Sequence, residues 1–251
     1  WKPRLVGSRK LGLLSILILQ TLLILLPLIS VIWAGISVSE FWQRLAKAEL
    51  WEATLFSSLI SLIASITAIG TTYLIALEAR QLLYRKQRFL HAMLSSISTY
   101  PLILPVFLLA VGLFLLLMNI TLSTAQLLIL VGVMNGIILI PFVYPTIFSA
   151  MWEIFNAQDK LAQSLGLSGF QRWWIAEKYY LIRPLANAFI LAMSSSLGSF
   201  AVIAFFGSPD FSTLPYLLYQ QLGSYRTEDA SVTALMLMLF ALLPFLFSKK
   251  E

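Results

Sequence analysis

The sequence has no cysteine and few charged residues for its length. None of its 251 residues is Cys, and only 11% are Asp, Glu, Lys or Arg. The lack of cysteine excludes both a disulfide framework and a thiolate metal site. Soluble domains carry about 25% charged residues, whereas 59% of the residues here are hydrophobic. The composition therefore predicts an integral membrane protein.

The sequence also lacks the short motifs of common enzymes. It has no G-x-x-x-x-G-K-[ST] phosphate loop, zincin motif, nucleophile elbow or dinucleotide fingerprint. Its one histidine, His91, opens an apolar run, and we interpret it as an interfacial or packing residue. The centres of the apolar runs hold no ionisable residue of the kind that marks proton relays. We therefore expect no catalytic, cofactor-binding or metal site in this chain, and energy for any uphill transport must enter from another polypeptide.

What the sequence does contain is a series of long apolar runs. A membrane-spanning helix needs about 20 mostly apolar residues. Six stretches meet this test, namely 11–35, 53–77, 92–118, 125–149, 186–207 and 230–247. They predict an all-α integral membrane protein, a six-transmembrane-helix bundle in which residues 1–251 form a single domain. Gly132 and Gly136 form a small-xxx-small pair, and two stripes of Ser and Ala have similar spacing (Ser57, Ser61, Ser65, Ala68; Ala188, Ala192, Ser195, Ser199). We interpret all three first as helix-packing surfaces.

The positions of the basic residues predict the orientation of these spans. Three of the 17 Lys and Arg residues, Arg44, Lys47 and Arg226, fall on one side. The other 14 fall on the side of both termini, as follows: Lys2, Arg4, Arg9, Lys10, Arg80, Arg85, Lys86, Arg88, Lys160, Arg172, Lys178, Arg183, Lys249 and Lys250. Basic loops stay in the cytoplasm, so we expect both termini to be cytoplasmic. Because the basic residues lie in short loops rather than on one folded face, no nucleic-acid partner is expected.

A polar, aromatic-rich segment, 156–184, interrupts the apolar pattern on the cytoplasmic side. Asn156 is suited to cap a first short helix, and Gly166 to end it in the left-handed conformation. Ser168 and Gln171 have capping-box spacing, which predicts a second helix. That helix is expected to end near Arg183, because Pro184 suits the first turn of the fifth span. The layout fits either a helix that a soluble partner engages or an interfacial amphipathic helix without a partner.

Part of this segment resembles a motif of binding-protein-dependent ABC importer permeases. The residues that carry the resemblance are Ala162, Ser164-Leu165-Gly166 and Arg183-Pro184. In that family, a Glu-Ala-Ala-x-x-x-Gly loop lies between two late spans and docks into the ATPase subunit. The Glu of the motif is Lys160 here and its first Ala is Leu161. The resemblance implies a coupling helix formed by Lys160, Leu161, Ala162, Ser164, Leu165, Gly166 and Leu167.

A second block, 205–226 with 230–235, resembles the corresponding region of bacterial thiamine importer permeases. These are fused pairs of six-span halves, and because the chain begins at Trp1 without a Met, we expect a C-terminal half. An acidic residue often follows the Gly of the fifth span in this group, whereas Ser199 follows Gly198 here. The resemblance implies a translocation path near Ser195, Ser199 and Phe200. It also implies a periplasmic face that includes Asp210, Tyr216, Tyr219 and Tyr225.

The implied partners are a cytoplasmic ABC ATPase, a periplasmic substrate-binding protein, a second six-span permease half and the lipid bilayer of the bacterial inner membrane. The implied substrate is thiamine or one of its phosphates. Within the same family, an iron(III) importer permease is an alternative with the same six-plus-six plan. A self-contained channel or ion-coupled carrier, and a purely structural membrane subunit, are alternatives from other classes.

Overall fold

A computed structural model describes residues 8–246, and side chains from residue 12 onward. Lys2, Arg4, Lys249 and Lys250, which entered the orientation prediction, lie outside the described residues, as do the side chains of Arg9 and Lys10. Helices make up almost all of the described part, where the sole β pairing is an isolated bridge between Ser208 and Phe211. The helices are α1 (Ser8–Ile36), α2 (Phe41–Leu45), α3 (Ala48–Tyr84), α4 (Arg88–Ile103), α5 (Val106–Leu117), α6 (Thr124–Ser164), α7 (Gly169–Arg172), a π-helical segment (Trp173–Glu177), α8 (Lys178–Leu197), α9 (Ile203–Phe206), α10 (Leu214–Gly223) and α11 (Thr227–Leu246).

Four of these helices are long and apolar enough to cross a membrane, and the chain is therefore a multi-pass membrane protein. They are α1 from Gly12, α3, α6 and α11. Helices α4 and α5 are bent by 85° at their junction. If they form one crossing, the pair is long and apolar enough to be a fifth span. The predicted unbroken run 92–118 is thus two helices. Leu104 is extended, with ψ 130°, because the following Pro105 disfavours the helical conformation of the residue before it.

The predicted fifth run, 186–207, also differs from the structure. Helix α8 begins earlier, at Lys178, and ends at Leu197, before a break and the short α9. It is not among the helices that are apolar enough to span by composition. Arg183, Asn187 and the serines at 194–196 interrupt its apolar sequence. Of the six predicted spans, the described residues thus hold four by length and composition, or five if α4 and α5 form one crossing.

The core lies where α3, α6 and α8 pack together. A Cβ added to Gly132 would lie 2.7 Å from the Ile63 side chain, and one added to Gly136 would lie 2.8 Å from the Ala64 carbonyl oxygen. Small residues at both positions are therefore required for the close approach of α6 to α3, which confirms the packing prediction. All four members of the Ser57–Ala68 stripe are buried, as are Ala188 and Ala192 of the second stripe. Ser195, in contrast, is exposed.

Candidate functional site

Helix α6 continues well beyond the predicted end of its span. It runs for 41 residues, to Ser164, without interruption. Asn156 therefore lies inside α6, and the prediction that it caps a separate helix is wrong. The reason is that Met151, Phe155 and Ala162 are buried against the bundle, so the helix keeps a packed face to its last turn. The end of the bundle that contains this last turn is called the loop end below.

Gly166 ends α6 as the sequence predicts. Its φ is +64°, in the left-handed region, and the N–H of Leu167 donates to the Ala162 carbonyl at 2.8 Å. Ser168 then precedes α7, but its side chain makes no capping hydrogen bond, so the predicted capping box with Gln171 is wrong. Gly169, the first residue of α7, has φ +54°, whereas a capping box requires a right-handed helical residue there.

The residues predicted to form the coupling helix surround this turn. Ala162 is buried, and Leu167 is half-buried. Lys160, Leu161, Ser164, Leu165 and Gly166 are exposed. Leu161 and Leu165, one helical turn apart on the same face, are 49% and 59% exposed. The turn therefore presents the apolar side chains of Leu161 and Leu165 outward, next to the charged Lys160.

Behind the turn lies a buried carboxylate that joins two arginines. Glu177 is 1% exposed. Its Oε2 accepts from Arg80 Nη1 at 2.6 Å, and its Oε1 accepts from Arg172 Nε at 2.8 Å. Arg80 belongs to α3, whereas Arg172 and Glu177 follow the turn. Because a buried charge requires a partner, these ion pairs fix the segment after the turn against α3.

Arg172 extends the same contacts to α6. Its Nη1 donates to Asp159 Oδ1 at 2.8 Å, and its Nη2 donates to the Phe155 carbonyl at 2.8 Å. The guanidinium carbons of Arg172 and Arg80 lie 3.7 Å and 4.6 Å from the centroid of the Phe155 ring. We call Arg80, Phe155, Asp159, Arg172 and Glu177 the Glu177 cluster. It ties both sides of the turn to the bundle.

The chain remains helical after Glu177, and the predicted helix end near Arg183 is wrong. The π-helical segment at 173–177 passes directly into α8, which contains Pro184 in its interior. Leu181, Ala188 and Ala192 are buried, so packing on both sides of Pro184 outweighs its cost to the helix. The aromatic side chains of Trp174, Tyr179 and Tyr180 are exposed, and such rings are favoured at the headgroup level of a membrane.

The structure brings together some of the residues predicted for the translocation path and the periplasmic face. The Phe200 ring lies 6.5 Å from that of Tyr216 and 5.2 Å from that of Tyr219. Ser199 Oγ donates to Asn135 Oδ1 of α6 at 3.1 Å. Asp210 and Tyr225 are exposed, and Tyr225 has φ +59° in the turn before α11.

The opposite end of the bundle holds a second ionic cluster, around Asp229. Asp229 accepts from Arg44 at 2.6 Å, from Lys47 at 2.7 Å and from Arg226 at 2.9 Å. Arg44 also pairs with Glu228, and Arg226 with Glu49 at 3.3 Å. The hydrogen bond to Asp229 raises the pKa of Arg44, and the one to Glu49 raises the pKa of Arg226. Arg44, Lys47 and Arg226, the three basic residues predicted to lie on the side away from the termini, thus lie together at this end of the bundle. Each is paired with at least one carboxylate.

Several bacterial permease proteins are similar to this chain over nearly its whole length. The thiamine transport system permease protein of Escherichia coli K12 is 36% identical over 236 residues, which is 94% of this chain and 44% of that protein. The protein of the same name from Haemophilus influenzae is 31% identical over 247 residues, 98% of this chain and 46% of that protein. The one from Brucella abortus strain 2308 is 30% identical over 239 residues, 94% of this chain and 43% of that protein. The chain is a relative of these permease proteins.

The relationship confirms the family resemblance inferred from the two sequence blocks. It also extends beyond them, because a match over 94% of the chain includes the first apolar runs. The chain spans less than half the length of the curated relatives it matches. No protein-family model matches the sequence.

The residue of this site that sequence reasoning missed is Glu177. Its partner Arg80 is 97 positions away, so no local pattern joins the two. One signal was available, since Glu177 is an isolated acid in the aromatic-rich stretch 173–182 next to a predicted span. An acid that flanks a membrane span is expected to pair with a cation, and Arg172, five positions earlier, is one of its two partners.

Proposed function

We propose that this chain is the membrane-spanning permease component of an ATP-driven importer of thiamine or its phosphates in the bacterial inner membrane. The observation that carries the proposal is the 36% identity to a named thiamine permease over 94% of the chain. The exposed turn, backed by the Glu177 cluster, adds a structural feature suited to coupling. ATP hydrolysis belongs to a separate cytoplasmic ATPase subunit in this proposal.

The proposed topology has six spans, formed by α1, α3, the α4–α5 pair, α6, α8 and α11, with the loop end in the cytoplasm. The charges at the two ends support it. Among residues 12–246, the loop end carries eight basic residues (Arg80, Arg85, Lys86, Arg88, Lys160, Arg172, Lys178, Arg183) and four acidic ones (Glu78, Glu153, Asp159, Glu177). The Asp229 end carries three basic residues (Arg44, Lys47, Arg226) and six acidic ones (Glu40, Glu49, Glu52, Asp210, Glu228, Asp229). An excess of Lys and Arg is retained on the cytoplasmic side.

In the proposed mechanism the ATPase engages the turn at Leu161, Leu165 and Gly166. Its closure moves the turn, and the Glu177 cluster transmits the displacement to α3 and α8 because ion pairs hold the segment on both sides. A packed element with two discrete positions can carry such a motion between sites. Lys160, where the family has Glu, gives this docking surface a positive charge in place of a negative one.

Transport also requires a second six-span half and a periplasmic binding protein that docks at the Asp229 end. The group formed by Phe200, Tyr216 and Tyr219 is proposed to lie along the path, with Ser195 and Ser199 beside it. Thiamine is a cationic aromatic molecule, and a cation over such rings gains about 1–2 kcal/mol. The names of the relatives support thiamine over iron(III) as the substrate.

The experiment that tests the proposal replaces Gly166. Gly166→Asp and Gly166→Asn are matched, since both side chains tolerate a positive φ and no atom lies within 4 Å of an added Cβ. We expect both variants to insert in the membrane. Only the Gly166→Asp variant should lose thiamine uptake and the coupling of uptake to ATP hydrolysis. The reason is that the Asp side chain adds a negative charge to the docking surface.

Three outcomes would contradict the proposal, the first two in its mechanism and the third in its substrate. Unchanged thiamine uptake by the Gly166→Asp variant would show that the turn does not couple to an ATPase. Sustained flux through the reconstituted permease without any ATPase would favour a channel or an ion-coupled carrier. Uptake of ferric ligands but not thiamine by the assembled transporter would leave the coupling intact and reassign the substrate.

A further inference from the structure

Two grooves meet at the loop end, on the side where α3 faces the segment after the turn. The first, of about 460 Å³, is lined mainly by apolar and aromatic side chains, among them Tyr73, Leu77, Phe170 and Trp173. The second, of about 420 Å³, is more polar and includes Arg85 and Arg172. Arg80, Gln81 and Gly169 line both. Together they form one amphipathic groove, which we call the Arg80 groove.

The polarity of the Arg80 groove follows the direction of α3. Its apolar part begins at Tyr73 and Leu77, inside the apolar span, and its basic part ends at Arg85, one residue beyond the helix. A phospholipid at a membrane surface has the same gradient, with acyl chains inward and the phosphate outward. Exposed Trp174, Tyr179 and Tyr180 follow the groove in sequence and are of the type favoured at headgroup level.

Three side chains on the wall of the groove carry buried polar atoms without a hydrogen-bond partner. These atoms are the Tyr73 hydroxyl, Arg80 Nε and Trp173 Nε1. Tyr73 and Trp173 are neighbours, but the pair forms no well-aligned hydrogen bond. Arg80 itself is 8% exposed. All three atoms can donate, so the wall of the groove holds donors and, apart from Asp159, no acidic group.

The charge of the groove is positive. Arg80, Arg85 and Arg172 line it, against one acidic lining residue, Asp159. Arg172 pairs with Asp159 and Glu177, and Arg80 pairs with Glu177. Arg85 is exposed and has no ion-pair partner among the side chains that the structure describes. A basic pocket at the end of membrane helices is suited to an anionic headgroup.

We propose that the Arg80 groove binds one anionic phospholipid. Its phosphate lies near Arg85 and Arg80, and an acyl chain runs along Leu77 and Phe170. This goes beyond the proposed transport function, because it requires the chain to be in a membrane but not that it carry thiamine. A bound lipid here would contact both α3 and the segment that follows the turn at Gly166.

The test measures lipid retention by native mass spectrometry of the purified chain after exchange into phosphatidylglycerol or phosphatidylcholine. We expect the chain to retain phosphatidylglycerol in preference. Arg85→Gln should reduce retention about five-fold, the factor that corresponds to one basic residue near an anionic surface. Arg88→Gln is the matched control, since Arg88 is exposed nearby but does not line the groove. Gln81→Trp should fill the groove and also reduce retention, whereas Glu78→Trp, one turn away, should not.

Equal losses from Arg85→Gln and Arg88→Gln would indicate general surface attraction and overturn the proposal. Glycerol phosphate that competes as well as the intact lipid would identify a site for a free anion instead. Displacement of the lipid when the ATPase is added would assign the groove to a protein contact. If Gln81→Trp fails to fold, the Arg85 and Arg88 pair still decides the question. Thiamine uptake is a separate assay, so its failure and the failure of lipid binding are distinguishable.

Discussion

Neutralising Glu177 should destabilise the loop end of the protein. In the Glu177→Gln variant, Arg80 and Arg172 lose the carboxylate that lies between them. The side chains of Glu177, Arg80 and Arg172 are 1%, 10% and 12% exposed, so water screens these ion pairs very little. Arg172 keeps Asp159 and the Phe155 carbonyl, whereas Arg80 keeps only the Phe155 ring among the contacts described for it.

The expected magnitude follows from the removal of one partner of a buried ion pair, which costs about 3–5 kcal/mol. Because glutamine retains one acceptor oxygen and Arg172 retains Asp159, we expect the lower limit, about 3 kcal/mol. For a domain of this size, 1 kcal/mol corresponds to about 2–4 °C in melting temperature. The midpoint of thermal unfolding, followed by tryptophan fluorescence of the purified protein, should therefore fall by about 6–12 °C.

A double-mutant cycle separates the ion pair from unrelated effects. Arg80→Met should cost about 2–3 kcal/mol, because it leaves Glu177 with one cation instead of two. The double variant Glu177→Gln/Arg80→Met removes both charges, so its cost should be about 2 kcal/mol less than the sum of the two single costs. Glu153→Gln, which removes an exposed carboxylate from α6, is the control and should change stability by less than about 0.5 kcal/mol.

Two results would refute this reasoning. A Glu177→Gln variant that melts within about 2 °C of the parent would show that the carboxylate does not hold the segment in place. Additivity of the two single variants within about 0.5 kcal/mol would show that Arg80 and Glu177 are not coupled.

Three further predictions concern packing, the Asp229 end and topology. Gly136→Ala should destabilise the protein by about 1–3 kcal/mol in thermal unfolding, because its Cβ meets the Ala64 carbonyl at 2.8 Å. Gly70→Ala, where no atom lies within 4 Å, should instead be neutral or stabilise by up to about 1 kcal/mol. Asp229→Asn should lower the melting temperature, since it weakens the contacts of three cations, whereas Asp210→Asn at an exposed site should not. In this cysteine-free chain, a membrane-impermeant maleimide added to spheroplasts should label a Tyr225→Cys variant but not a Ser168→Cys variant, and the reverse pattern would invert the proposed topology.

The features predicted correctly from the sequence depend on neighbouring residues. The long apolar runs of α1, α3, α6 and α11 follow from composition within a window of about 20 residues. The left-handed turn at Gly166 and the close packing at Gly132 and Gly136 follow from the geometry that glycine alone allows.

The features that were missed depend on distant contacts. The continuation of α6 through Asn156 is set by burial of Phe155 and Ala162, which a local capping signal does not reveal. The helix through Pro184 is held by packing on both sides of the proline. The Glu177 cluster joins α3, α6 and the segment after the turn, and its members are spread over nearly 100 positions.

The length of α6 explains how a buried ionic cluster can exist in so apolar a protein. At about 1.5 Å per residue, the stretch from Thr124 to Asp159 spans about 52 Å, whereas the hydrocarbon core of a bilayer is about 30 Å thick. Even with a tilt of about 40°, the steepest usual for a membrane helix, Asp159 lies about 40 Å along the membrane normal from Thr124. If α6 begins at the opposite interface, the Glu177 cluster lies beyond the hydrocarbon core. The charges of the cluster are then surrounded by protein, including the Phe155 ring, and not by lipid. The ion pairs of Arg80 and Arg172 therefore avoid the free-energy cost of placing charged side chains in hydrocarbon.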